Sequence, residues 1–537
     1  MRLTRIAAAT GGVLIASALV LSGCAADNGG DNDGGSSTAI ITVQSNEPEN
    51  PLVPANTNEV GGGLALQNLF AGLVYYKADG SMDLDVAESI ESEDNQTWTI
   101  KVKDGKKFTD GTAVNAESFV KAWQYGASNA EFLNQWWFAN IEGYSAEGGE
   151  DTLALEVVDD LTFTVKLVAP QSDFPLSLGY TVYFPLPEAF YEDEAALGEA
   201  PIGNGPYKLS ETGWVHDERI SLVKNEDYDG PREAQNGGVD LVAYATQEAA
   251  YADLLSDNLD VIQQVPTGAL ATYKDDLGDR AVDQAAAIFQ SFTIQYSMAH
   301  FADDEEGKLR RAAISKAINR EEITSVIFEG TRTPAVDWTS PVIAGWSDSI
   351  DGSDVLAYDE AGAQELWAQA DAISPWSGQF GIAYNADGGH QAWVDATANS
   401  IKNVLGIDAV GVPYPDFAGL RTEVNNRTIT SAFRSGWQFD YPGAFNILGA
   451  LYLTGAGSND ADYSNPEYDE LVKSGSTADS IEDANADFAK AQEILFADLP
   501  AIPLWYYGVD GAWSESVDNV QYGWNTNVLY YAVTKSE

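Results

Sequence analysis

The chain has 537 residues, 45% of them hydrophobic and 11% aromatic, and its formal net charge at pH 7 is −54. This apolar and aromatic content excludes an intrinsically disordered chain, and the length predicts two to four domains. Because so acidic a surface repels phosphate backbones, we also predict that nucleic acid is not a partner.

Residues 1–23 have the pattern of an export signal. Two arginines give a positive start, residues 6–20 are mainly apolar, and Leu21-Ser22-Gly23-Cys24 follows. The apolar run is too short for a permanent transmembrane helix, and its flanks are typical of a signal peptide. The last four residues resemble a lipobox, in which the cysteine receives a diacylglyceryl group and becomes the mature N-terminus. We therefore expect Cys24, the only cysteine, to anchor the protein in the membrane. The alternative is an ordinary cleaved signal.

Residues 24–38 are predicted to form a flexible tether. From residue 25 onward this segment contains no large apolar side chain, so it cannot offset its own ordering entropy. No later segment approaches 18 uninterrupted apolar residues, and a single cysteine cannot form an intrachain disulfide. We therefore expect a folded domain that works outside the cytoplasm and depends on packing for its stability.

Beyond the tether, strand-like and helix-like stretches alternate, which predicts a mixed α/β fold. Residues 97–102 alternate as a strand, and Asn115 is expected to cap an amphipathic helix that runs to Trp123. The other predicted strands are 161–168, 220–223 and 239–244, and the other predicted helices are 246–256, 308–318, 321–328, 359–369, 391–405 and 485–495.

The sequence contains no constellation typical of an enzyme. Its three histidines, His216, His300 and His390, are too scattered for a His-rich metal site or a catalytic triad. There is no Gly-x-Ser-x-Gly, P-loop or His-Glu-x-x-His motif. We predict no catalytic residue, no cofactor and no metal site. Because carboxylates are abundant, counting alone leaves a glycosidase open.

Five segments, in order, resemble the family 5 extracellular solute-binding proteins, which are the oligopeptide, dipeptide and nickel receptors of ABC importers. The most recognisable is residues 98–123, WTIKVKDGKKFTDGTAVNAESFVKAW. The others are IGNGPYKL at 202–209, NEDY at 225–228, LRRAAISKAINR at 309–320 and GWQFDY at 436–441. The resemblance extends over residues 39–535, essentially the whole chain after the tether.

The resemblance implies a two-lobed periplasmic-binding-protein-like fold of type II, in its large form with an extra subdomain. Two strands, near 290–296 and 502–507, would cross between the lobes, which would close on a ligand like a hinge. The implied divisions are 39–77 plus 200–293 plus 508–537 for lobe one, 78–199 for the inserted subdomain and 294–507 for lobe two.

The resemblance also implies ligand residues between 434 and 440. In oligopeptide-binding members, the Asp of a similar Arg-x-Gly-Trp-x-x-Asp segment holds the peptide's α-ammonium, and its backbone pairs with the peptide like an added strand. Asp440 is expected to hold the ammonium, Arg434 an acidic group of the ligand, and Trp437 to line the pocket. Gly436 and Gln438, on either side of Trp437, are also expected to bind the ligand. The alternatives are that Asp440 is a turn residue, that Arg434 forms a structural ion pair and that Trp437 belongs to the core.

The resemblance implies two further ligand contacts. Asn58, Glu59 and Val60 match a first-lobe segment whose backbone contacts peptide, ahead of a helix expected to begin near Gly63. Tyr506 lies in the second crossing strand, where aromatic side chains flank the cleft. The alternatives are that residues 58–60 form an ordinary loop and that Tyr506 belongs to a buried hinge strand.

We therefore expect a monomeric, lipid-anchored, extracytoplasmic receptor. It would capture oligopeptides by lobe closure and deliver them to the transmembrane permease subunits of an ABC importer. An oligosaccharide receptor of the same fold is the alternative, because sugars bind on aromatic faces and the chain has 14 tryptophans. A nickel or haem carrier has less support, because it needs a histidine or an arginine-rich patch in the cleft.

Overall fold

The computed structural model of the chain describes residues 38–149, 152–386, 389–415 and 417–536. The predicted signal peptide, Cys24 and all of the predicted tether except Thr38 lie outside the described residues. Among the described residues, no helix is both long and apolar enough to span a bilayer.

The strands of the described residues form two six-stranded sheets, one four-stranded sheet and two small two-stranded sheets. In chain order they are β1 (Ile40–Ser45), β2 (Val74–Tyr76), β3 (Met82–Leu84), β4 (Ala87–Glu91), β5 (Thr97–Val102), β6 (Leu155–Asp159), β7 (Thr162–Lys166), β8 (Tyr207–Val215), β9 (Arg219–Lys224), β10 (Gly238–Ala243), β11 (Val261–Ile262), β12 (Gln284–Thr293), β13 (Arg332–Pro334), β14 (Gln379–Asn385), β15 (Asp408–Tyr414), β16 (Ala432–Gln438), β17 (Ala501–Val509), β18 (Ala512–Trp513), β19 (Val517–Asp518) and β20 (Thr534–Lys535).

The α-helices lie between and around these sheets. In chain order they are α1 (Val60–Leu69), α2 (Ala116–Ser128), α3 (Phe174–Ser177), α4 (Glu194–Glu199), α5 (Gln247–Leu255), α6 (Tyr273–Leu277), α7 (Glu305–Lys316), α8 (Arg320–Ile327), α9 (Glu360–Ile373), α10 (Gln391–Leu405), α11 (Phe417–Asn425), α12 (Phe445–Tyr452), α13 (Pro466–Ser476) and α14 (Ile481–Asp498).

The first hydrophobic core is built on the sheet β18-β11-β1-β10-β9-β8 and the sheet β4-β5-β7-β6. In the first sheet, β1 lies between β10 and β11 and runs parallel to both. In β5, the alternate residues Trp98, Ile100 and Val102 are buried, as the period-two pattern of the sequence predicts. The carboxyl ends of β1, β10 and β11 therefore meet at one edge of the first sheet.

The second core is built on the sheet β13-β17-β12-β16-β14-β15. The antiparallel strands β12 and β17 connect it to the first core. In β12, Ala286 packs in the first core and Ala287 in the second. In β17, Tyr506 packs in the second core and Val509 in the first. The lobe limits drawn from the resemblance stay predictions, but the chain does cross between two cores on two paired strands.

The predicted element types are confirmed, and one predicted helix start is wrong. β5 and α10 have the predicted bounds, and Asn115 caps α2 through a reciprocal pair of hydrogen bonds with Ser118. The helix expected near Gly63 instead begins at Val60, because the carboxylate of Glu59 accepts the Gly62 N–H at 2.9 Å and caps it.

Candidate functional site

One edge of β16, the strand that carries the predicted ligand segment, is only partly paired. On one side β16 pairs with β12 from Phe433 opposite Thr293 to Gln438 opposite Ile288. On the other side, β14 pairs only with Ala432 and Phe433. Among the described residues, no strand pairs with that edge from Ser435 to Gln438. Such an edge offers backbone N–H and C=O groups to an extended ligand.

The unpaired part of β16 lines a cavity of about 190 Å³, which we call the β16 cavity. Gly436 leaves no room for a side chain, because a Cβ there would lie 2.5 Å from the carbonyl oxygen of Phe289. The Nε of Arg434 donates to Asn385 at 2.8 Å, and its guanidinium lies 4.8 Å from the centre of the Phe417 ring. Arg434, Gly436 and Trp437 all line this cavity.

The side chain of Asn446, in α12, fixes Asp440 and Trp437 relative to each other. Its Nδ2 donates to the Asp440 carboxylate at 3.1 Å, and its Oδ1 accepts the Asp440 backbone N–H at 3.2 Å. The same Oδ1 accepts the Trp437 indole N–H at 2.7 Å. Two predicted ligand residues are thus held by one buried amide that carries no recognisable signal in the sequence.

Asp440 is a largely enclosed carboxylate, and none of the ion pairs in the described part of the chain includes it. Burial raises its pKa to about 7, and the hydrogen bond from Asn446 opposes this shift only in part. Burial and then the nearby charge of Asp440 also raise the pKa of the Tyr180 hydroxyl. A cation brought to this carboxylate would lower its pKa again, so the site suits a ligand's ammonium group.

A second, larger cavity of about 530 Å³ lies beside β12 and β17, where these strands pass from the first core to the second. We call it the carboxamide cavity, after the Gln and Asn side chains in its wall. Its lining residues are Gln44, Ser45, Asn46, Val60, Tyr244, Ala245, Thr246, Gln247, Gln263, Gln264, Ile288, Gln438, Tyr507, Gly508, Val509, Asp510 and Thr526.

The structure brings some predicted residues to these cavities and places others elsewhere. Val60, which is 49% exposed, and Gln438 both line the carboxamide cavity. Glu59 serves as the cap of α1, and Asn58 lines neither cavity. The assignment of Tyr506 to the cleft is corrected: this residue is 1% exposed, and its hydroxyl donates to the Asp337 carbonyl at 2.8 Å. Its neighbour Tyr507 lines the cavity instead.

Two cores joined by paired crossing strands, with cavities beside those strands, define a two-lobed solute-binding protein. The chain matches the model of the bacterial extracellular solute-binding proteins, family 5, over residues 82–459, and it belongs to this family. Because the family consists of solute-binding proteins, the chain is not an enzyme.

The alignments with two relatives from Bacillus subtilis extend over nearly the whole chain. The oligopeptide-binding protein OppA of Bacillus subtilis is 26% identical over 515 residues, which are 91% of this chain and 92% of OppA. The dipeptide-binding protein DppE of the same organism is 26% identical over 536 residues, 95% of each chain. An unliganded, open structure of the murein tripeptide-binding protein MppA superposes with a TM-score of 0.78 at 23% identity, covering 93% of this chain and 97% of MppA.

Proposed function

We propose that this protein captures oligopeptides outside the cytoplasm and delivers them to the permease subunits of an ABC importer, held at the membrane by a lipid on Cys24. The observation that carries the peptide assignment is Asp440, an enclosed carboxylate without a cationic partner in the described residues, two positions after the unpaired edge of β16. The names of the relatives, which bind oligopeptides, dipeptides or a murein tripeptide, support the same ligand class.

The mechanism follows from two kinds of contact. Backbone groups of residues 435–438 bind an extended peptide of any sequence, because they pair with its main chain. Asp440 then sets the register, because it pairs with the one charge that every free peptide carries at its N-terminus. Arg434 lines the β16 cavity, where its guanidinium would bind a carboxylate group of the peptide. Contacts of the ligand to both cores stabilise the closed state selectively.

The oligosaccharide alternative has less support from the structure. Many of the chain's tryptophans build the cores: Trp123, Trp338, Trp393 and Trp505 are fully buried. Trp437 is the one tryptophan among the described residues that line the two cavities. A neutral sugar also gives no reason for a largely enclosed carboxylate without a countercharge. For a nickel carrier, the described residues contain no cluster of three or more side chains suited to a metal ion.

The test compares tetra-alanine with its N-acetylated form in calorimetric titrations. Leaving the ammonium buried without its partner costs about 3–5 kcal/mol, so Asp440→Ala should weaken the binding of free tetra-alanine by roughly two to four decades. Acetylation should weaken binding to the unmodified protein and matter much less in the variant, because both changes remove one interaction.

Asp351→Ala, at an exposed turn position, is the control that removes an aspartate outside the site. It should bind free tetra-alanine as the unmodified protein does. If free and acetylated tetra-alanine bind the unmodified protein equally well, the peptide assignment fails. Mass spectrometry of the ligand retained on purification provides a second readout, and a retained oligosaccharide would favour the alternative.

A further inference from the structure

Six carboxamide side chains converge on the carboxamide cavity from separate parts of the chain. Most of them follow the carboxyl ends of parallel strands of the first sheet, where open α/β sheets commonly bind ligands. Gln438 reaches the cavity from the end of β16, in the second core. The six are Gln44, Asn46, Gln247, Gln263, Gln264 and Gln438.

The wall of this cavity carries no uncompensated charge. Among the described residues that line it, Asp510 is the one ionisable acid or base other than tyrosine. Its carboxylate accepts a hydrogen bond from Arg332 at 2.8 Å, and both side chains are almost completely buried. An ionic ligand group that enters the cavity would therefore lose water without gaining a free countercharge.

The amides of the wall retain hydrogen-bonding capacity. Gln247 donates to Gln264 at 2.9 Å, which leaves further N–H and C=O positions on this pair. The side-chain oxygen of Gln44 is buried without a hydrogen-bond partner in the described structure. An apolar ligand group would leave the remaining N–H and C=O positions of Gln247 and Gln264 without water or a partner at a cost, whereas a group that both donates and accepts would satisfy them.

The volume of the carboxamide cavity does not determine which ligand group it binds. A cavity of about 150 Å³ already holds benzene, and this one measures about 530 Å³. Any natural side chain therefore fits, together with water. Selection in the carboxamide cavity has to come from its chemistry.

We propose that the carboxamide cavity is a specificity site for one side chain near the N-terminus of the bound peptide. It selects uncharged side chains that both donate and accept hydrogen bonds, Gln and Asn in particular, over acidic, basic and aliphatic ones. This inference rests on the proposed function, because Gln438, in the cavity wall, lies two residues before the ammonium site at Asp440. One extended residue spans about 3.3 Å, so the first or second peptide residue is within reach.

The test uses tetra-alanine and its variants with Gln, Glu, Lys or Leu at position one or two, titrated calorimetrically. Gln and Glu have nearly the same shape, so this pair isolates the effect of charge. At one of the two positions, we expect the Gln peptide to bind at least tenfold more tightly than the Glu peptide and at least threefold more tightly than the Lys and Leu peptides.

A matched pair of protein variants ties this preference to the cavity. Gln247 and Gln391 are the first residues of α5 and α10, a position where glutamate is well tolerated. Gln247→Glu puts a carboxylate into the cavity wall and should shift the preference from the Gln peptide towards the Lys peptide by at least fivefold. Gln391→Glu makes the same change outside the wall and should leave the preference unchanged.

Two negative results have different meanings. If tetra-alanine itself does not bind, the peptide assignment fails and this inference fails with it. If tetra-alanine binds but the substituted peptides agree within threefold at both positions, or Gln247→Glu shifts nothing, the specificity site alone is overturned.

Discussion

The hydroxyl of Tyr441 donates a 2.9 Å hydrogen bond to the carboxylate of Asp173, and this contact joins chain segments that pack in different cores. Tyr441 is 4% exposed and packs in the first core, whereas Phe439 and Ala444 on either side of it pack in the second. Its ring meets Trp137 nearly edge-on, with centroids 6.3 Å apart. Because Tyr441 directly follows Asp440, the proposed ammonium site and a contact between the cores share one short segment.

We predict that Tyr441→Phe weakens peptide binding. Asp173 is partly buried, and the loss of water around its carboxyl group raises its pKa; it accepts hydrogen bonds from Tyr441 and from Gln171. Removing one donor from a buried acceptor costs about 1–3 kcal/mol. If part of this energy stabilises the closed state, the Kd for tetra-alanine should rise by roughly fivefold or more. Calorimetric titration measures this change.

Tyr468→Phe is the matched control for that variant. The Tyr468 hydroxyl donates to the Leu448 carbonyl at 2.8 Å, and both residues belong to the second core. This variant should lower the free energy of unfolding by a similar amount while the Kd stays the same. Equal effects of the two variants on the Kd would show that the Tyr441–Asp173 contact is not coupled to binding.

We predict that peptide affinity falls as the pH drops below 7. In the ligand-free protein the pKa of Asp440 is raised to about 7 by burial, so at lower pH the carboxylate needed by the ammonium is mostly protonated. Affinity should be greatest near pH 7 to 8, because at higher pH the peptide's α-amino group, with a pKa of about 8, loses its charge. Below pH 7 it should weaken by up to about tenfold per pH unit, until the pH reaches the lowered pKa of the complex. Binding near pH 7 should also release a proton.

Titrations of tetra-alanine from pH 5 to 8, in buffers of different ionisation enthalpy, measure both effects. Asp440→Asn should remove the pH dependence together with most of the affinity. A Kd that stays constant over this range in the unmodified protein would contradict the role of Asp440.

Local sequence signals predicted the secondary structure, but they misplaced one helix start. The Asn115–Ser118 pair and the alternation of β5 need only near neighbours, so both can be read from the chain. The start of α1 was missed because glutamate is an uncommon N-cap, and three successive glycines disfavour a helix. Gly61 is nevertheless required there, because a Cβ would lie 2.3 Å from the Asn46 carbonyl oxygen.

Residues of the candidate site could be predicted only where one segment carries them. The predictions for Asp440, Arg434 and Trp437 follow from one motif, whereas the carboxamide cavity collects side chains from segments as far apart in the chain as Gln44 and Thr526. Tyr506 and Tyr507 could not be told apart, because both are aromatic and the pairing of β12 with β17 shifts register near Gln290. The sequence gives no polar contrast there that would indicate which ring faces the cavity.

We predict that Cys24→Ser releases the protein from the membrane or leaves an unprocessed precursor. The serine hydroxyl cannot take the thioether-linked diacylglyceryl group, so the acyl chains that anchor the protein would be missing. Fractionation of cells, with immunoblotting of membranes and medium, measures the change, and Ser22→Ala is a control that keeps the thiol. Unchanged membrane attachment and processing of Cys24→Ser would exclude the lipid anchor.

We predict finally that Asp440→Asn stabilises the ligand-free protein above pH 7 although it impairs binding. The pKa of Asp440 is about 7 in the folded chain and about 3.9 in an unfolded one. Between these values the folded state binds more protons, so the stability of the unmodified protein falls as the pH rises and stays lowered above 7. After allowance for partial exposure, the gain from Asn should be on the order of 1–2 kcal/mol at pH 8 and near zero at pH 4. Denaturant unfolding at both pH values measures it, and a variant that is less stable than the unmodified protein at pH 8 would show that the carboxylate is not strained in the empty site.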